Sequence, residues 1–180
     1  PVAAAAQLGN ACGCEARRFL EDGWQDEFKL IHALVARAQE NAAGDDAAIP
    51  PGDDAARLAP LAFPVITTDT QREGTHFREE WLTPEALGER AVEVTLSDLA
   101  ASYARPVSLF VNLGLPAAIS ETTIHRIYHG LYKALERHGC QLGGGNIARA
   151  ERLSLDLFAV GEGRRDCFPR RSAARPGDGL

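Results

Sequence analysis

The chain has 180 residues, 45% of them hydrophobic and 24% charged, with a formal net charge of −6; this is an ordinary globular composition with enough apolar mass for one core. The acidic balance gives no basic field for nucleic acid, and the absence of any run of about 18 apolar residues argues against a helical membrane span. Four cysteines, Cys12, Cys14, Cys140 and Cys167, are too few and too scattered for a disulfide framework or a zinc site, so they are expected as free thiols in a reducing cytoplasm.

Residues 1 to 25 mix alanine, glycine and charge without a sustained period and read as a mobile leader to a domain over 26–180. The apolar piece Pro1 to Ala6 lacks the basic flank and length of a secretory signal. Asp26 has N-cap chemistry, and Phe28, Leu30, Ile31, Leu34, Val35 and Ala38 recur at helical spacing until Gly44. Two near-copies follow, Gly44-Asp45-Asp46-Ala47-Ala48 and Gly52-Asp53-Asp54-Ala55-Ala56. On composition alone either is a turn.

Phe63, Val65 and Ile66 favour extended backbone. The strand they begin is expected to stop in Thr67-Thr68-Asp69-Thr70, followed by Gly74-Thr75-His76-Phe77. A strand end holds such side chains rigidly while leaving them open to a ligand. Thr83-Pro84-Glu85 starts a helix with a hydroxyl cap, proline in the first turn and an early acid, and Leu87, Ala91, Val94 and Leu99 form its apolar stripe. Ser97-Asp98 lies toward the C-terminal part of that helix, where a carboxylate opposes the dipole and suggests a cation; the alternative is a solvated aspartate.

Val107 to Leu115 reads as a strand closed by Pro116. Ser120 caps a helix with Ile124, Ile127, Leu131 and Leu135 inside and Gly139 at its end. His125 and His129 are four apart on it, but without a third ligand they read as a solvated face. Gly143-Gly144-Gly145-Asn146 is a run whose backbone amides suit a phosphate. Leu153, Leu155, Leu157 and Ala159 alternate as a half-buried strand, and the arginines of the tail read as a solvated loop. The alternation of strands and helices indicates an α+β fold with a mixed or antiparallel sheet.

In order, Gly52-Asp53-Asp54-Ala55-Ala56, the Thr67 to Phe77 segment, Leu96-Ser97-Asp98-Leu99-Ala100-Ala101 and Gly143-Gly144-Gly145-Asn146 resemble the signature of the thiamine-monophosphate kinases, within the aminoimidazole ribonucleotide synthase superfamily. The likeness begins near Glu27-Phe28-Lys29-Leu30-Ile31 and ends near Ala174-Arg175-Pro176-Gly177-Asp178, covering the family's N-terminal half. The second Gly-Asp-Asp copy takes the family's position because it adjoins the strand from Phe63 and is followed by Leu58.

The resemblance implies that family's N-terminal fold, with helices on one face of the sheet and a homodimer whose sheets pair into a barrel. It further implies ATP-dependent phosphorylation of thiamine monophosphate to thiamine diphosphate. Mg²⁺ is then held by Asp54, Thr67, Thr68, Asp69, Asp98 and Asn146, ATP is contacted by Asp53, Gly145, Asn146 and Arg171, and thiamine monophosphate is contacted by His76. Clustered carboxylates repel unless a cation joins them, and hard oxygen donors select Mg²⁺. The acceptor is a phosphate oxygen already ionised at neutral pH, so no side chain is assigned as a general base.

The chain departs from the family at Asn146, which stands where an aspartate is usual, and at Tyr103, which stands where glycine is usual. With one half of the family's length, it is expected not to turn over substrate by itself. The alternatives are a non-catalytic nucleotide-binding dimerisation module or a sibling synthase. Against the latter, the segment around Asp69 lacks the Gly-Val-Gly-Thr-Lys pattern of aminoimidazole ribonucleotide synthase.

Overall fold

Strand alternation decides which face of the sheet is covered. In the computed structural model, which describes residues 27–41 and 55–177, Leu109, Val111, Leu113 and Leu115 of one strand, with Leu155, Leu157 and Ala159 of its neighbour, are all essentially inaccessible. The elements are α1 (Glu27–Asn41), β1 (Pro64–Arg72), α2 (Pro84–Ala101), β2 (Arg105–Leu115), α3 (Glu121–His138), β3 (Gln141–Arg149) and β4 (Ser154–Glu162), then a 3₁₀ turn at Arg171–Ala173. The strands lie in the order β1-β4-β2-β3, with β4 antiparallel to both neighbours and β3 parallel to β2. The mixed sheet expected from sequence is thus present, with α2 over β1 and β4 and with α3 and α1 toward β3. The leader, the Asp26 cap and both Gly-Asp-Asp copies through Asp54 lie outside the described residues.

The glycine run forms part of β3, because Gly145 lets the edge strand come so close to β2 that a Cβ there would overlap the Val111 carbonyl oxygen. Gly143 likewise leaves room for Ser108 Oγ and the Phe110 ring. One expectation changes: the strand from Pro64 does not stop at the hydroxyls. It pairs with β4 without a break from Pro64 opposite Glu162 to Arg72 opposite Ser154, since threonine suits a pleated surface.

Both long helices are capped as their sequences require. Thr83 Oγ1 accepts from Ala86 N–H at 3.2 Å, Ser120 Oγ accepts from Thr123 N–H at 3.1 Å, and Gly139 closes α3 with φ 60°. At the end of α2, Tyr103 adopts the left-handed conformation, φ 52°, in which glycine is normally preferred. Its ring needs no cavity, because it is 61% exposed. On α1, Leu30 and Leu34 are buried, and the Leu34 carbonyl accepts from Tyr132 Oη at 2.6 Å, which ties this helix to α3. Burial holds the neighbouring Tyr128 phenol above its usual range and pushes the Cys140 thiol up to about 12, which removes that thiol from nucleophilic chemistry at neutral pH.

Helices α2 and α3 meet backbone to backbone. A Cβ on Gly88 would overlap the Ile127 carbonyl oxygen, and one on Gly130 would overlap that of Glu85. Along one edge of this contact runs an ion-pair ladder. Arg126 grips Glu85 with two bonds at 2.6 and 2.9 Å, Lys133 and Arg137 share Glu89, and Arg137 and His138 share Glu93. Hydrogen bonds from Arg126, and from Lys133 and Arg137, hold the Glu85 and Glu89 carboxyls below their usual range.

The glycine contact gives a test of opposite sign to helix propensity. An alanine in a helix interior is intrinsically favoured over glycine by about 1 kcal/mol, whereas overpacking costs about 1–3 kcal/mol. Gly130→Ala is therefore expected to lower the melting temperature. A raised melting temperature would show that the helices do not approach this closely.

Candidate active-site groove between β1 and α2

Alternation along β1 sends Thr67, Asp69 and Gln71 toward α2 and Thr68 and Thr70 toward the uncovered face. Two hydrogen bonds fix the alignment. Thr67 Oγ1 donates to Asp98 Oδ2 at 2.8 Å, and Arg90 Nε donates to Gln71 Oε1 at 3.3 Å. The helix consequently runs antiparallel to the strand, with Asp98 over Thr67 and Arg90 over Gln71. The two repeats match in length: four strand residues rise about 13 Å and eight helical residues about 12 Å.

Asp69 lies midway, half-buried, and its Oδ1 accepts the Thr70 N–H at 2.6 Å. That bond holds the carboxylate at the rim of the groove. Asp98 is exposed, at a place where the helix itself contributes negative potential. Asp69, Asp98 and Thr67 form a donor set of hard oxygens, of the kind that binds Mg²⁺ through one or two carboxylates with water or phosphate oxygens completing the shell. Among the described residues no three His, Cys, Asp or Glu side chains gather into a larger metal site. The third carboxylate of the sequence pattern, Asp54, and the adjacent Asp53 lie outside the described residues.

The other sequence candidates are distributed. Thr68 stands opposite Phe158 on the uncovered face, so its hydroxyl does not join Asp69 and Asp98. Asn146 belongs to a cross-strand row Thr70–Asp156–Asn112–Asn146, in which Thr70 Oγ1 donates to Asp156 Oδ1 at 2.7 Å. It is three strand spacings, about 14 Å, from β1, and faces away from the side that carries Asp69. Within one chain Asn146 and Gly145 therefore do not join Asp69 and Asp98. Arg171 sits exposed in the 3₁₀ turn. His125 and His129 are exposed on α3, as a solvated face requires.

His76 closes the turn after β1: its Nδ1 accepts the Arg72 N–H at 3.1 Å, and its own N–H bonds the Arg72 carbonyl at 2.8 Å. The ring is exposed. With Nδ1 accepting, the neutral imidazole carries its proton on Nε2, which is left as a donor. Gln71, Arg90 and Asp156 escaped the sequence reading. Their signals were present in retrospect, since Gln71 shares a period of two with Thr67 and Asp69, and Arg90, Val94 and Asp98 recur every fourth residue.

Comparison with known proteins gives one picture. Residues 44–162 match the family model of AIR synthase related protein, N-terminal domain. A thiamine-monophosphate kinase of Aquifex aeolicus is 33% identical over 154 residues, 86% of this chain and 47% of that protein. The crystal structure of thiamine-monophosphate kinase from Stenotrophomonas maltophilia K279a superposes with a TM-score of 0.67 at 36% identity, over 75% of this chain and 43% of that one. AaThiL complexed with AMPPCP and TMP gives 0.59 at 32% identity, over 83% and 45%. The chain thus spans about half the length of the curated relatives it matches.

The histidine assignment can be checked by itself. In mildly alkaline buffer, nitrogen NMR of His76 should show a protonated Nε2 and a bare Nδ1. The opposite tautomer would mean that the ring does not close this turn.

Proposed function

Because this chain belongs to the AIR synthase related proteins through their N-terminal domain, we propose that it supplies the nucleotide- and cation-binding half of a kinase that moves a phosphoryl group from ATP to thiamine monophosphate. The observation that carries this reading is the groove in which Asp98 of α2 accepts from the Thr67 hydroxyl of β1, on the same strand face that carries Asp69. Relatives named for that activity support it, as does a solved relative complexed with the ATP analogue AMPPCP and with TMP.

In this reading Asp69, Asp98 and Thr67 hold Mg²⁺ together with Asp54 and the Thr68 carbonyl, and the ion offsets charge on the phosphates. Asp53 and Arg171 contact ATP, Gly145 and Asn146 contact it from the uncovered sheet face of a second copy, and the Nε2–H of His76 donates to thiamine monophosphate. Phosphoryl transfer to an already ionised phosphate oxygen needs alignment and charge stabilisation rather than a strong base. This suits a groove built of carboxylates and hydroxyls. The free thiols of Cys140 and Cys167 suit a reducing compartment such as the cytoplasm. No helix among the described residues is long and apolar enough to cross a membrane.

We also assign the uncovered sheet face to pairing with a second copy, in the barrel manner. Ile66 is 58% and Phe158 37% exposed there, and Phe110 meets Phe158 edge to face at 6.0 Å. An apolar patch of this kind on a small domain marks an association surface. A second reading, a nucleotide-binding module without turnover, draws on Asn146, a neutral amide where the family has a carboxylate. Mg²⁺-dependent binding of ATP without any transfer, in a protein of the relatives' full length, would select it.

Calorimetry on this chain is expected to show ATP binding that requires Mg²⁺ and that falls at least about tenfold in Asp69→Ala, the loss expected for removing a charged ligand. Equal affinity in EDTA overturns the reading. For the dimer, light scattering should give twice the chain mass, reverting to a single mass when Ile66→Glu and Phe158→Glu are combined. A wild-type monomer at high concentration refutes the pairing.

A further inference from the structure

We propose that Arg90, oriented by the buried Gln71, is the phosphate-binding arginine of the β1–α2 groove, taking the oxygens of a polyphosphate or phosphate monoester whose other end lies at Asp69 and Asp98. The proposal deepens the kinase reading and rests on it.

Gln71 is 3% exposed, one of very few polar side chains in the interior. Its amide is fully directed: Nε2 donates to the Thr70 carbonyl at 3.1 Å and Oε1 accepts from Arg90 Nε at 3.3 Å. A side chain bonded at both ends in a buried site has one orientation, so it holds the guanidinium in one as well. The bond uses only Nε. Arg90 is exposed, and no carboxylate among the described residues pairs with its two terminal nitrogens.

That vacancy contrasts with the other edge of the same helix. There Glu85, Glu89 and Glu93 match Arg126, Lys133, Arg137 and His138 pair by pair. Along that edge each arginine is given an acid. At position 71 the fold supplies the neutral isostere of glutamate, which positions the cation without neutralising it. A buried amide that anchors an unpaired, exposed guanidinium is a poor stabiliser, but it is what an anion site requires, because the planar fork keeps its charge and a fixed heading for bidentate phosphate contact.

The spacing fits the same use. Asp69 and Gln71 are two residues apart on one strand face, about 7 Å. A phosphate chain bridged by a cation at the carboxylates therefore reaches the guanidinium without bending out of the groove. Potential along the groove changes sign, from carboxylates at the Thr67 end to guanidinium at the Gln71 end, so it orients a ligand that carries cations at one end.

The test is a calorimetric titration of the chain with two probes, magnesium tripolyphosphate and thiamine monophosphate, for wild type, Arg90→Gln, Arg90→Lys, Gln71→Met and Asp69→Asn. Arg90→Gln is expected to weaken at least one probe by about tenfold or more, the usual loss for a charge-assisted hydrogen bond. Arg90→Lys should recover part of it. Gln71→Met should give an intermediate loss with the arginine still present, and should shift and broaden the Arg90 Nε–H resonance, a change that loss of packing alone does not produce. The probe that suffers identifies the source: tripolyphosphate assigns Arg90 to the donor, thiamine monophosphate to the acceptor. If Asp69→Asn abolishes binding while Arg90→Gln binds both probes as wild type does, this proposal is overturned and the kinase reading stands. If wild type binds neither probe, both fall together. Because Arg90 is exposed, its variants should melt as wild type does, so a binding loss is not a folding loss.

Discussion

The contact on which the remaining geometry depends is the approach of α2 to α3 at Gly88 and Gly130, where each glycine faces a carbonyl oxygen of the other helix. Helices that meet at their backbones have almost no freedom to slide, since any shift brings a side chain into the place of a missing one. That fixes α2 over β1 and β4, and only in that seat does Asp98 stand above Thr67. Removing side chains at the crossing thus sets side-chain positions on the far edge of the same helix. Gly161 serves the end of α2 in the same way, lying against Leu99 and Ala104.

Helix α2 also divides its charges by edge. Toward α3 its glutamates are matched by cations in a partly exposed ladder, in which individual pairs contribute little and the network contributes more than its members. Toward β1 it presents Val94, Arg90 and Asp98 over threonine, aspartate and glutamine, with no ion pair among the described residues. One edge stabilises the fold while the other is left electrostatically unspent. Unmatched charge at a groove is a feature of sites rather than of scaffolds.

Much of this was legible before any coordinates. Thr83 and Ser120 announced the two capped helices, Gly139 the exit of the second, and the alternation of Leu153, Leu155, Leu157 and Ala159 a central strand, because caps and periodicity are local chemistry. The order of the acidic motifs gave Asp69 and Asp98 without revealing that they lie on facing elements. What failed was non-local. Three consecutive glycines weaken a strand on propensity alone, and only the close neighbours, Val111 at Gly145 and Ser108 with Phe110 at Gly143, explain why β3 carries them. Gln71 looked like one more polar residue after a run of threonines, since its burial comes from α2 lying across it. Asn146 looked like a partner of Asp69 until sheet order separated them by two intervening strands, and strand order cannot be read from motif spacing. Tyr103 stood out only as a departure from the usual glycine, and its outward ring depends on a backbone turn that the sequence does not spell out.

Strand β1 is in effect a two-sided card. Its odd positions, Thr67, Asp69 and Gln71, read into the groove, and its even positions, Ile66, Thr68 and Thr70, read onto the open sheet. The two vocabularies are interleaved residue by residue, so the identity of each depends on a pairing register with β4 that runs unbroken over nine positions. A change of side chain at one position edits one surface and leaves the other untouched, which lets the two be tuned independently. A change of chain length inside the strand does the reverse: a slip of one residue exchanges every letter between the faces, turning carboxylate outward and isoleucine inward. Substitution is therefore a mild perturbation of this strand and insertion a severe one, whatever the chemistry of the residue inserted.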